Sequence, residues 1–315
     1  MTATPRHVYL YIALGVAAVS TSAIFVKLSE TPPVVLAFYR VLLASVLLAP
    51  VLVRREWDSF RRTPGRDAAL AVVSGVFLAL HYAVWFFSLQ LTSVASSTVL
   101  VTTQPIWVML IAYVLWRERV PLPSLAGIAL ALVGVYFIGS HSAQQGESQL
   151  LGDVLAVAAA ILVSGYLLIG QRLRARMPLL TYVVLVYGAA AVVLGLLAVV
   201  LGLPFTGYGA REWAIYLGLA AVPTLLGHTV FNWALQHVPA SVVSVSILGE
   251  PVGTVLLAML VLGEVPAPAQ VLAGLVILTG IGIFLHYRSR RAASPRLAPG
   301  GAGGLARQGG HRREG

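Results

Sequence analysis

From residue 8 to residue 287 the chain is a succession of apolar runs, and their length limits the fold more than any motif does. Runs fall at 8–26, 33–53, 68–90, 94–116, 122–139, 151–171, 180–203, 212–235, 241–262 and 268–287. Each has about 18–24 residues, the length a helix needs to cross a hydrocarbon core of roughly 30 Å. Only 10% of the 315 residues are charged and 58% are hydrophobic, against about 25% charged in soluble domains. The expected fold is an all-α integral membrane protein with ten transmembrane helices. The first run is not a secretory signal, because no small-residue cleavage site follows it and nine more runs do.

Lysine and arginine set the expected orientation. Of the 21 such residues, 18 fall on the side that holds both termini if the N-terminus is cytoplasmic. Lys27 and Arg211 lie on the other side, and Arg40 lies within a span. That bias predicts cytoplasmic N- and C-termini. Trp57, Trp116, Trp213 and Tyr287 stand at span ends, where interfacial aromatics collect. A net charge of +10 would suggest nucleic acid in a soluble domain; here the cations punctuate apolar runs, so no nucleic-acid partner is expected. Residues 289–315, rich in Gly, Arg and Pro, read as a disordered basic cytoplasmic tail, with Arg288–Arg291 against anionic headgroups.

A repeat at an offset of 146 residues organises the interior. SILGEPVGTVLLAMLVLGEVP (246–266) answers TQPIWVMLIAYVLWRERVP (103–121), so that Gln104 matches Glu250, Pro105 matches Pro251 and Glu118 matches Glu264. Gln90 matches Gln236 and Gly134 matches Gly280, while Lys27 with Arg172 and Pro33 with Pro178 match at 145. The repeat contains five spans, so the copies enter the membrane in opposite directions. Residues 1–148 and 149–288 are therefore expected as two inverted five-helix repeats. Secondary transporters use this architecture, with substrate near the midplane at the repeat interface.

These residues resemble the drug/metabolite transporter superfamily, in particular its ten-span EamA branch, over roughly residues 8–287. The resemblance rests on Lys27, Pro33 and Arg40, on QP…RE at Gln104–Glu118, on EP…LGE at Glu250–Glu264, and on Gly274, Gly280 and Gly282. The chain departs from it in the first span, with Ser20-Thr21-Ser22 where such proteins often carry Trp-Gly. Membership implies export of small metabolites, amino acids or drugs across a bacterial inner membrane.

Among the candidate site residues, Glu250 leads. A carboxylate within a span costs about 2.5–3.5 kcal/mol on insertion scales. Pro251 cannot donate to the Ile247 carbonyl, leaving that oxygen for substrate, ion or water. Glu250 can bind a proton or a substrate amine, or be a helix-kink carboxylate with a structural partner. Arg40 suits a carboxylate, whether that of Glu250 or of a substrate; otherwise it snorkels or binds backbone carbonyls. His81 shares a helical face with Ser74, Trp85 and Ser88, and His228 with Thr224 and Asn232, predicting two polar-aromatic stripes. Such stripes suit an amphipathic or aromatic solute; each histidine alone also fits simple packing. Gln104 is the counterpart of Glu250 that cannot titrate, and Pro105 and Pro251 are the expected helix breaks. Glu118 and Glu264 are expected at structural ends, capping helices or pairing with Arg117 and Arg119. Lys27 is an anchor or an anion-attracting gate. Gly127, Gly134, Gly274 and Gly280 are expected in close packing, either between halves or between the protomers of a homodimer.

Other function classes lack their residues. There is no cysteine, hence no thiolate metal site or nucleophile. Lys27 is the only lysine, so there is no P-loop. No HEXXH, Asp-rich diphosphate motif or Gly-x-Ser-x-Gly elbow occurs, and the 11 acidic residues lie mostly in loops or at span ends. No metal, cofactor or enzyme activity is expected. The partners are a small-molecule solute, protons and the bilayer. A channel-like facilitator is the alternative, although no ring of like residues marks a filter.

Overall fold

The computed structural model describes residues 6–117, 122–238, 243, 246, 247 and 249–293, and within them the chain is helical with no strand. Eight helical stretches are long and apolar enough to cross a membrane. The first is α1 (Arg6–Ser20) with α2 (Ser22–Leu28), followed by α3 (Pro33–Arg55), a short α4 (Trp57–Arg61) and α5 (Gly65–Leu91). Next come α6 (Val94–Val101) with α7 (Gln104–Trp116), α8 (Leu122–Gln145), α9 (Glu147–Arg174) and α10 (Leu179–Val200). The eighth is composite: α11 (Ala210–Leu219), a π-helix (Ala220–His228) and α12 (Thr229–Ala234). The last two predicted spans appear among the described residues as shorter apolar helices, Glu250–Leu262 and Pro268–Phe284. The former is α13 (Glu250–Leu257) running into a second π-helix (Ala258–Leu262); the latter belongs to α14 (Pro268–Ala293). Helix α14 thus continues into the stretch expected to begin the tail, and residues 294–315 lie outside the described residues.

Helices start and stop where proline and glycine require it. Pro33 opens α3 from the first turn, where its missing N–H has no carbonyl to serve. Gly263, at φ 67°, ends the second π-helix in the left-handed conformation that glycine adopts without strain. Pro223 lies inside the first π-helix, where Thr224 and Thr229 turn their hydroxyls back onto carbonyls five residues earlier.

Packing joins elements from opposite ends of the chain. Helix α3 lies along α10, α5 along α9, α1 along the first π-helix, and α8 along α14. The last seam is the tightest. A Cβ on Gly127 would stand 2.5 Å from the Gly280 carbonyl oxygen, and one on Gly134 2.8 Å from that of Ala273. Glycine lets these backbones touch. Gly127, Gly134 and Gly280 of the expected set therefore lie in a seam within one chain, whereas Gly274 faces Val99 of α6, a Cβ there standing 3.4 Å from it.

Helices α3 and α10 are cross-tied reciprocally. Tyr39 on α3 donates to the Phe205 carbonyl in the loop after α10, at 2.6 Å. Thr181 on α10 donates its backbone N–H to Glu56, in the turn after α3, at 2.8 Å.

Candidate functional site

The site begins at two helix starts. Helix α6 ends at Val101, Thr102 and Thr103 turn, and α7 begins at Gln104 with Pro105 in its first turn. The two threonine hydroxyls donate to the Val99 and Leu100 carbonyls, at 2.8 and 2.7 Å, absorbing acceptors left at the end of α6. In the second half Gly249 precedes α13, which begins at Glu250 with Pro251 in its first turn. Each proline, expected at a helix break, stands in the first turn of a helix. Serines of the first helix of each half hold the two starts. Ser164 Oγ lies 3.0 Å from the Gln104 carbonyl and 2.7 Å from that of Ala160, and Ser20 Oγ lies 3.3 Å from the Glu250 carbonyl and 2.9 Å from that of Val16, so each hydroxyl is shared between its own helix and a helix start.

Between these starts lies a cavity lined by His81, Trp85, Gln104, His228, Asn232 and Glu250, together with Ser22 and Tyr166. Six sequence-selected residues from four separate segments thus converge on one space. Its volume is about 50 Å³, far below the roughly 300–1,000 Å³ of pockets that enclose small organic ligands. A solute of amino-acid size needs the surrounding helices to part.

His81, Trp85, His228 and Asn232 each have a defined contact beside the cavity. His81 Nδ1–H donates to the Ala159 carbonyl at 2.9 Å, so only Nε2 remains for a solute. Trp85 stacks on His81, with centroids 6.0 Å apart and planes 13° apart. The buried Trp85 Nε1–H has no hydrogen-bond acceptor among the described residues, an arrangement proteins seldom leave unpaired. His228 meets Tyr82 edge-on at 5.8 Å. Asn232 donates to the Tyr166 hydroxyl at 2.7 Å. Ser74 and Ser88, expected on the His81 stripe, instead bond Tyr182 and Ser97.

Arg40 is not in the cavity wall. It is fully buried behind it, donating Nε to Thr224 at 2.8 Å and Nη1 to Ser22 at 2.9 Å. Its guanidinium carbon lies 4.0 Å from the centre of the Tyr82 ring, a cation–π contact in a dry setting. No ion pair joins Arg40 to Glu250 among the described residues. Ser22, which also lines the cavity, connects the arginine to it. Thr224, expected on the His228 stripe, is bonded to Arg40.

The remaining candidates lie at the ends of the bundle. Glu264 accepts from the Val94 N–H at 2.7 Å, at the start of α6. Lys27 donates to the Thr92 carbonyl at 3.4 Å. Glu118, with Arg119, lies outside the described residues.

Sequence reasoning passed over several groups. Glu212, in the first turn of α11, accepts from Ser29 at 2.5 Å, from Thr31 at 2.8 Å and from the Glu30 N–H at 3.2 Å. Asp67, in the first turn of α5, pairs with Arg176 at 2.6 Å. Asp153 is buried and accepts from Thr92 at 2.8 Å. Arg174, counted with the interfacial cations, is 1% exposed; it donates to the Asn232 carbonyl at 3.2 Å and to that of Met177. The polar triplet Ser20-Thr21-Ser22 inside an apolar run was the available signal for Ser20 and Ser22.

Comparison with known proteins gives these features a family context. The model of the EamA-like transporter family matches residues 7–140 and again 150–285. An uncharacterized transporter of Archaeoglobus fulgidus is 26% identical over 280 residues, covering 87% of this chain and 95% of its own. The uncharacterized transporter YetK of Bacillus subtilis is 28% identical over 274 residues, covering 81% and 80%. A solved crystal structure superposes with a TM-score of 0.65 over 90% of this chain and 99% of its own at 20% identity, a likeness of fold.

Proposed function

The chain belongs to the EamA-like transporter family, and from that premise we propose that it is a secondary transporter exporting small organic metabolites, amino acids, related solutes or drugs, by alternating access. The membrane is a bacterial inner membrane with both termini cytoplasmic, as the cation bias favours. The observation that carries this reading is the cavity at the Gln104 and Glu250 helix starts, lined from both halves. Helix starts of this kind at a repeat interface are where secondary transporters bind their solutes.

Reciprocal contacts support two inverted repeats of five spans each. Ser20 on the Glu250 carbonyl answers Ser164 on the Gln104 carbonyl. Tyr39 with Phe205 answers Thr181 with Glu56. Glu212 on the Ser29–Thr31 loop answers Asp67 on Arg176. In this last pair, an acid in the first turn of the third helix of each half grips the loop after the first helix of the other. Under inverted symmetry the two latches sit on opposite membrane faces, and releasing one while the other holds admits solute from one side only.

The solute is amphipathic. Its acceptor group, a carboxylate or carbonyl, meets the unpartnered Trp85 Nε1–H, and its amine meets Glu250, which also takes the proton exchanged for it. His81, Trp85 and His228 provide flat surfaces for an aromatic or aliphatic body. The test is counterflow in proteoliposomes, with a panel of labelled amino acids. A carrier accelerates uptake of label when unlabelled solute is loaded inside. Label entry independent of internal solute across the whole panel would overturn the reading.

A further inference from the structure

A second buried carboxylate lies apart from the cavity. Asp153, in the second turn of α9, meets Thr92, directly after α5, and Ser142, in the last turn of α8. All three residues are at most 4% exposed. The Thr92 hydroxyl donates to Asp153 Oδ1 at 2.8 Å, and the Ser142 hydroxyl stands beside the same carboxylate. Neither Asp153 Oδ2 nor Ser142 Oγ has a well-formed hydrogen bond among the described residues. Gly152 fixes the arrangement. A Cβ there would stand 2.8 Å from Thr92 Cβ, so α9 seats directly on the end of α5.

Charge around this point is one-sided. Helices α5 and α8 both end here, and helix C-termini carry partial negative charge. Lys27 donates to the Thr92 carbonyl at 3.4 Å, and no ion pair reaches Asp153 among the described residues. His141, next to Ser142, is the other ionisable neighbour. A buried carboxylate without a counter-charge is costly. Lone pairs also outnumber hydrogens here, because a carboxylate and two hydroxyls share only two hydroxyl protons. A bound proton would serve one lone pair, whereas a small cation serves oxygens of all three residues at once. Carboxylate and hydroxyl oxygens are hard donors. One carboxylate matches a single positive charge, whereas calcium sites commonly draw on several.

We propose that Asp153, Thr92 and Ser142 bind one sodium ion, which pins α9 to α5 and α8 whatever solute the cavity takes. The test is thermal unfolding of the full chain in nanodiscs, in sodium, potassium or choline chloride at equal ionic strength. The pH is held at about 8, where an imidazole such as that of His141 is neutral. Sodium at about twentyfold its dissociation constant should raise the midpoint by about 3 °C over choline, saturably, with potassium giving much less. Asp153→Asn keeps an acceptor for Thr92 and should lose the sodium response. Ser142→Ala should weaken sodium about tenfold and melt in choline as the unaltered protein does. Equal melting of the unaltered protein in the three salts would overturn the proposal, as would a sodium response that survives Asp153→Asn. Undiminished sodium affinity in Ser142→Ala would overturn it as well, whether or not Asp153→Asn folds. A rise on acidification in choline that sodium fails to reproduce would make Asp153 a proton site instead.

Discussion

Replacing Gly280 with alanine inserts one methyl group into the seam between α8 and α14. Its carbon would stand 2.5 Å from the Ala131 nitrogen and 2.6 Å from the Gly127 carbonyl oxygen. Ordinary contacts of this kind lie near 3.5 Å, so the helices must part by about 1 Å. Both colliding atoms belong to backbone, and no side chain can turn aside. Overpacking of this kind costs about 1–3 kcal/mol. Gly282, on the same helix, has nothing within 4 Å of its virtual Cβ. Gly282→Ala therefore carries only the helix-propensity gain of about 0.5–1 kcal/mol. That gain is common to both variants, so their difference isolates the steric cost. Reversible unfolding in mixed micelles, followed by tryptophan fluorescence, should place Gly280→Ala about 1–3 kcal/mol below Gly282→Ala. Gly127→Ala should couple with it non-additively, by about 0.5–3 kcal/mol, since both methyl groups widen the same gap. Equal stability of Gly280→Ala and Gly282→Ala would refute the close-seam argument.

The cavity and its two ends give further expectations. Arg40→Lys gives up the fork that spans Ser22 and Thr224, at about 1.5–3 kcal/mol for hydrogen bonds to a charged group; transport should fall equally for carboxylated and neutral solutes, whereas a selective loss for carboxylated ones would assign Arg40 to substrate. Tyr166→Phe leaves the buried Asn232 amide without its acceptor, and unfolding should show a loss of about 1–3 kcal/mol; Tyr166→Phe with Asn232→Leu should recover part of it. Glu212→Ala removes the grip on Ser29 and Thr31. Because the chain has no cysteine, a cysteine reporter in place of Val19, which lines the cavity, should then react several-fold faster with an impermeant reagent added from the Glu212 side; an unchanged rate would show that Glu212 is no latch.

Local rules made the helix starts legible and left distant pairings hidden. Proline beside a polar residue at a fixed offset marks Gln104 and Glu250 in the bare sequence, because proline's chemistry acts within one turn. The convergence of His81, Trp85, His228 and Asn232 was also within reach, since polar residues in apolar spans must face one another or water. Arg40 was recognised as needing a partner, but Ser22 and Thr224 could not be chosen, since Thr224 lies 184 residues away in the chain. Asp153 and Arg174 lie near span ends, where nothing in the local sequence marks burial. Their burial depends on Thr92 and Asn232, contacts about sixty residues away in the chain. Tyr82 and Tyr166 resemble ordinary aromatic filling until Arg40 and Asn232 are seen against them.

The central claim is that Glu250 couples proton movement to solute exchange at the repeat interface. It is tested most directly by measuring flux of a transported solute in proteoliposomes with and without an imposed pH gradient, for the unaltered protein and Glu250→Gln. The amide keeps the size and hydrogen bonding of the carboxyl but cannot release a proton. The account expects Glu250→Gln to retain solute-for-solute exchange and to lose the acceleration by the pH gradient. Gradient-driven flux that persists undiminished in Glu250→Gln would contradict it.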